Sequence, residues 1–201
     1  LDLVSSIIPN IQTVLANYPN YNFIENIKKC FNLSSTDINR TQQYREQKER
    51  EKDKQRYSSA EEFNNSLKTI VKCEIASPVQ AARISELSLR TNQFNLSGAR
   101  YTENEVNHFM EDKRYCVYVL SASDKYGDMG LIGAAIVQKQ KSPIIISFFI
   151  SCRVFGRNFE NIILDKIKKD FDVMLHGIYK RTEKNKRFED FYSENGVEVY
   201  E

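Results

Sequence analysis

Residues 144–160 read IIISFFISCRVFGRNFE, and the three parts of that stretch decide the fold. Residues 144–150 are an apolar run, rich in β-branched and aromatic side chains and without polar alternation. Such a run predicts a central strand buried on both faces. Residues 151–158 break the pattern with one glycine and two arginines. From Phe159 a helical spacing opens, with Phe159, Ile162, Ile163 and Ile167 on one side and Asn161, Asp165, Lys166 and Lys169 on the other. Strand, turn and helix in this order can receive an anion. The first amides of a helix have no intrahelical partner, and the peptide dipoles add positive potential there. Gly156 would let a phosphate approach the backbone, and Arg153 and Arg157 are candidate bidentate donors. The same pattern also describes an ordinary turn, so the anion site is one of two readings.

The composition narrows the possibilities around this stretch. A chain of 201 residues, 41% hydrophobic and 28% charged, can build one sizeable core with an appendage. A net charge of +2 does not mark a nucleic-acid binder. Cys30, Cys73, Cys116 and Cys152 are far apart, no CxxC pair occurs, and His108 and His176 lie far from any cysteine. A metal site is therefore not expected, and reduced thiols in a cytoplasmic protein are. No apolar stretch reaches membrane-spanning length, so no membrane partner is expected either.

Working outward, residues 115–120 and 131–137 read as two strands around the turn 124–130, and residues 141–143 break the chain before the organising strand. Three successive antiparallel strands result. Residues 69–75 alternate like a further strand. Ser77-Pro78 opens a helix that buries Ala81, Ile84 and Leu87, and Thr102 opens another through Phe109. Between them residues 90–97 (RTNQFNLS) form a polar loop that either caps helices or binds a ligand. Beyond the organising helix, residues 173–179 predict a strand parallel to the third. Residues 184–192 predict one amphipathic helix with Phe188, Phe191 and Tyr192 inward, and residues 197–200 begin a last strand.

Toward the amino terminus, residues 17–20 read as a turn and residues 23–30 carry helical spacing. A long helix is predicted from Ser34 or Ser35 to about Gln55. Its stretch 40–56 is dense in both charge signs, which suits a solvated, salt-bridged connector better than a nucleic-acid face.

The order from Cys73 onward resembles the GNAT acyltransferase fold: an α/β (α+β) architecture with a mixed, mostly antiparallel central sheet flanked by helices. Arg153, Gly156 and Asn158 stand where that family wraps the pyrophosphate of acyl-CoA, and Asn158 departs from the small residue usual there. Four motifs resemble the FkbH-like family more closely: RISELSLRTNQFNL (83–96), DKYGDMGLIG (124–133), SCRVFGRNFE (151–160) and KRTEKNKRFEDFYSENG (180–196). Those proteins join a haloacid-dehalogenase-type phosphatase domain to a GNAT-like domain and handle acyl groups on acyl carrier proteins.

The resemblance implies that residues 1–33 are the tail of a phosphatase-type domain, residues 34–69 a helical linker and residues 70–201 the GNAT-like domain. It implies a donor that is acyl-CoA or a phosphopantetheine-linked acyl carrier protein, held by Ile150, Cys152, Arg153, Val154, Gly156, Arg157, Asn158 and Asn185. Tyr192 is then the acid that protonates the leaving thiolate, and Asn92, Gln93 and Asn95 face the acceptor. The missing phosphatase domain would be a further partner. Such a phosphatase works through an Asp-x-Asp pair, and this chain is not expected to perform its step. A non-catalytic module that docks a carrier protein is the alternative.

Overall fold

A computed structural model of the chain describes residues 35–200. The turn at 17–20, the helix at 23–30 and the domain remnant at 1–33 lie outside the described residues. The chain divides into two compact units, residues 1–56 and 57–201.

The first unit contains α1 (Ser35–Lys54). Its exposed face carries side-chain bonds one turn apart, from Gln42 to Glu46 at 2.9 Å and from Gln47 to Glu51 at 3.1 Å. Pairs at this spacing support a helix that lacks an apolar stripe.

The second unit opens with α2 (Ala60–Ser66), capped by Ser59, which accepts from the Glu62 amide at 3.1 Å. Then follow β1 (Ile70–Ile75), a 3₁₀ turn at Pro78–Gln80, α3 (Ala81–Arg90), β2 (Phe94–Asn95) and α4 (Glu103–Glu111). The chain continues through β3 (Tyr115–Asp124), β4 (Gly127–Gln138), β5 (Ile144–Ile150), α5 (Phe159–Phe171), β6 (His176–Ile178), α6 (Phe191–Glu194) and β7 (Glu198–Tyr200). The main strands lie in the order β1-β3-β4-β5-β6-β7, with β2 added on β5. Pairing is antiparallel from β1 through β5, then parallel from β5 to β6 and from β6 to β7. This is the mixed α+β sheet with flanking helices that the sequence predicts.

Both faces of the sheet are covered, which is why residues 144–150 show no alternation. On one side Ile145, Phe148 and Ile150 pack with Phe159, Ile163, Leu164 and Ile167 of α5. On the other, Phe149 packs with Ala81, Ile84 and Leu87 of α3 and Val106 of α4. Each of these large side chains contributes about 2 kcal/mol by leaving water.

The structure corrects several boundaries. The loop expected at 124–130 is a two-residue connection, because β3 and β4 pair as far as Asp124 with Gly127, with register shifts after Leu120 and Ala122. Each irregularity adds twist and lets polar residues sit inside a strand. The helix expected over 184–192 is a 3₁₀ turn at Lys186–Phe188 followed by the short α6. The strand expected over 173–179 narrows to His176–Ile178, and Val173 and Met174 are exposed. Ile162, expected on the buried side of α5, is partly exposed.

Candidate functional site

A bulge in β5 creates the site. Ile136 pairs with Ser147 but Val137 pairs with Ile145, so Ile146 is the extra residue. Before the bulge, Ile144 and Ile145 pair with β6. Beyond it β5 leaves β6, and β2 enters the gap: Phe94 pairs with Ile150 and Asn95 with Phe149. The Leu96 amide donates to the Phe148 carbonyl at 3.0 Å, and the Lys180 amide donates to the Leu96 carbonyl at 2.8 Å. A short piece of the expected polar loop thus bridges the two diverging strands. Sequence reasoning missed this strand because two residues carry no periodicity, and only their partners make them a strand.

Asn185 fastens β2 from the far side. Its Nδ2 donates to the carbonyls of Asn95 and Lys180, both at 2.9 Å, and its Oδ1 accepts from the Thr182 amide at 2.7 Å and the Tyr179 hydroxyl at 3.2 Å. The side chain is fully buried and its bonding capacity is used. No atom of it is left for the carrier-arm bond that the resemblance implies, so Asn185 is an internal staple. Asn95 is likewise buried and turned inward, donating to the Ala99 carbonyl at 2.9 Å and accepting from the Gly98 amide at 3.0 Å. Asn92 and Gln93 are exposed, with Asn92 Oδ1 accepting from Arg100 at 2.5 Å.

The turn after β5 begins with the Ser151 amide bonded to the Ile132 carbonyl at 2.7 Å. Cys152–Val154 form a 3₁₀ turn that uses the amides of Val154 and Phe155 internally. Cys152 is exposed and Val154 is fully buried. Arg153 reaches back to the Ser151 hydroxyl at 3.3 Å. Gly156 has φ +77°, a left-handed conformation that favours glycine, and a Cβ placed there would meet nothing within 4 Å. Asn158 is also left-handed, at φ 60° and ψ 28°, and its side chain does not cap α5. Instead its Oδ1 accepts from Asn161 Nδ2 at 2.5 Å. Glu160 is the acidic residue of the first turn and partly answers the dipole there.

Arg157, expected to clasp a phosphate, turns inward and meets Asp124 at 3.4 Å. Arg187 stacks over the rings of Phe155 and Phe188 at 4.8 and 4.5 Å, which places its charge alongside the turn.

Tyr192 lies in the core. Its ring covers Gly177, where an added Cβ would come within 2.5 Å of the ring carbons. Its hydroxyl is buried without a hydrogen-bond partner, and burial pushes its pKa up. On the opposite face, the Ser147 hydroxyl in β5 meets Ser97 at 3.3 Å and is bonded to Tyr101. These hydroxyls were not legible in the sequence, since nothing in the spacing of Ser97, Tyr101 and Ser147 brings them together.

The chain does contain one Asp-x-Asp triplet, Asp170 to Asp172, at the end of α5. Asp170 accepts from Tyr118 at 3.0 Å and pairs with Lys166, which lowers its pKa. Asp172 is the left-handed residue that ends the helix. The two carboxylates therefore close a helix end. Among the described residues no group of three or more His, Cys, Asp or Glu side chains could hold a metal ion, and no helix is long and apolar enough to cross a membrane.

No family model and no curated protein matches the chain. Solved structures of acetyltransferases do resemble it. An aminoglycoside acetyltransferase from an uncultured soil metagenomic sample aligns over 66% of this chain and 94% of that one, at 14% identity and a TM-score of 0.48. The ribosomal-protein-alanine N-acetyltransferase of Brucella melitensis aligns over 64% and 92%, at 10% identity and a TM-score of 0.46. The ribosomal-protein-S18-alanine N-acetyltransferase of Escherichia coli aligns over 50% of this chain and only 59% of that one, at 9% identity and a TM-score of 0.40. Likeness of this degree says nothing of substrate or site.

Proposed function

We propose that the chain is an acyltransferase-type module of the FkbH-like kind, taking its acyl group from CoA or from the phosphopantetheine arm of an acyl carrier protein. The observation that carries this reading is the turn between β5 and α5. It ends the central strand, leaves α5 without a side-chain cap and opens Gly156 to free space. A phosphate suits that end, where unpaired first-turn amides and the helix dipole favour an anion. The four sequence motifs and the strand order support the same reading.

The residues fit such a donor at its phosphate end and differ along its arm. A pantetheine paired with the β5 edge at Ile150 would meet β2, which already holds that edge. The arm would therefore have to run past Cys152 and Arg153, on the exposed side of the turn. Arg187 stands beside the turn, and it and the exposed Lys180, Arg181, Lys184 and Lys186 of the same segment suit an acidic carrier protein, although Glu183 and Glu189 offset part of their charge.

The thioester supplies an acyl carbon with a thiolate as leaving group. Attack by the acceptor forms the new acyl bond and breaks the C–S bond, and the sulfur leaves as a thiolate that takes its proton from solvent, the Tyr192 hydroxyl being sealed in the core. The acceptor's proton goes to solvent. Burial that raises the Tyr192 pKa keeps the phenol protonated and makes it a poor proton donor.

A second reading is favoured by the same occupied edge: a module that docks a carrier protein without catalysis. Release of free thiol from acetyl-CoA and from an acylated carrier protein separates the two. The transferase reading expects release by the native chain and a loss of about 100-fold in Gly156→Glu, which sets negative charge against the phosphate. Binding without release supports docking, and failure to bind either donor overturns both.

A further inference from the structure

We propose that Asp124, at the tip of the β3–β4 hairpin, is the positioning residue of the anion turn and acts through Arg157. The inference rests on the donor reading given above and adds a residue to it. The Asp124 side chain is fully buried and that of Arg157 is 10% exposed. One carboxylate oxygen of Asp124 is fixed by the Tyr126 amide at 3.0 Å, and the other faces Arg157 Nη1 at 3.4 Å. The same nitrogen lies 3.8 Å from Met129 Sδ, and the guanidinium sits 5.9 Å from the centre of the Phe159 ring. Arg157 is thus gripped by both strands of the hairpin and by the first residue of α5.

Its place in the turn gives the grip its effect. Arg157 stands between Gly156 and Asn158, both left-handed, and Asn158 is held in that conformation at a cost that its surroundings must meet. Separating a buried guanidinium from a buried carboxylate is costly, so hairpin and turn move as one piece. A second tie comes from α2, where Asn64 Nδ2 reaches the Gly156 carbonyl at 3.5 Å. Asp124 therefore sets where the amides of residues 156–160 point. Arg157 serves a phosphate by placing backbone, with most of its own charge answered by Asp124.

The test uses the full chain, native and Asp124→Asn, with two probes: coenzyme A and pantetheine, which lacks the diphosphate and the phosphorylated adenosine. The native chain is expected to prefer coenzyme A by roughly 100-fold, as a phosphate site on a helix end requires. Asp124→Asn should lower coenzyme A affinity about 10-fold and leave pantetheine within about twofold, which a general loss of structure would not do. In the free protein it should also speed hydrogen exchange at residues 156–160 about 10-fold, with exchange in α3 and α4 unchanged. Unchanged exchange at 156–160, or equal weakening of both probes, overturns the positioning role. A native chain that binds both probes equally overturns the phosphate-end reading instead, and the exchange result then decides on Asp124 by itself.

Discussion

At the scale of single residues, Tyr192 and Asn185 show how the same inward position means different things. Both are buried in the segment after β6, and both stand in one motif. Asn185 has every donor and acceptor engaged, so its role is internal. Replacing it with Ala leaves the carbonyls of Asn95 and Lys180 and the Thr182 amide unpaired, and thermal or denaturant unfolding should show a loss of about 3 kcal/mol. Tyr192 makes no such bond, so Tyr192→Phe should unfold at the native midpoint or above it. Gly177→Ala places a methyl group against the Tyr192 ring and should destabilise by about 1–3 kcal/mol in the same measurement. The cysteines offer a separate check. Burial pushes Cys73 up to about 11, whereas Cys152 is exposed, so alkylation at pH 8 should mark Cys152 first and spare Cys73 until the protein unfolds. Mass mapping of the alkylated peptides reads the order directly.

At the scale of elements, the sequence reveals what is periodic and hides what is relational. β5 and α5 are legible because a long apolar run and a 3.6-residue spacing are local signals. β2 is two residues long and exists through its pairing with β5, so nothing in residues 90–97 separates it from a capping loop. The same holds for Asp124, which reads as a turn residue until the hairpin brings it to Arg157. Phe94 anchors β2 with edge-to-face contacts to Phe148, Phe188 and Phe191 at 4.7–5.3 Å. Phe94→Ala should cost about 3–5 kcal/mol and detach β2 from the β5 edge. The link from α4 to β3 is polar. Asp112 accepts three side-chain bonds and a backbone bond from Arg114, chiefly the former, and these hold its pKa at about 2. A folded pKa below the unfolded value, about 3.9, adds stability that is complete above that value and fades as pH falls toward 2. Asp112→Asn should accordingly flatten the fall in melting temperature between about pH 4 and pH 2.

At the scale of the whole second unit, one irregularity organises the rest. The bulge at Ile146 turns β5 away from β6, and the sheet opens where the central strand ends in an uncapped helix start. β2 fills the opening from one side, while the turn at 151–158 stays exposed on the other at Cys152 and Gly156. The central claim is that this exposed turn receives the phosphate of a thioester donor. Calorimetric titration of the native chain and of Gly156→Glu with acetyl-CoA tests it most directly. An added side chain at Gly156 meets open space, so the fold should survive, at a cost of about 1–2 kcal/mol for the left-handed backbone. The account predicts saturable binding by the native chain and a loss of roughly 100-fold in Gly156→Glu, from negative charge set against the phosphate. Equal affinity in the two proteins, or no binding by the native one, would contradict it.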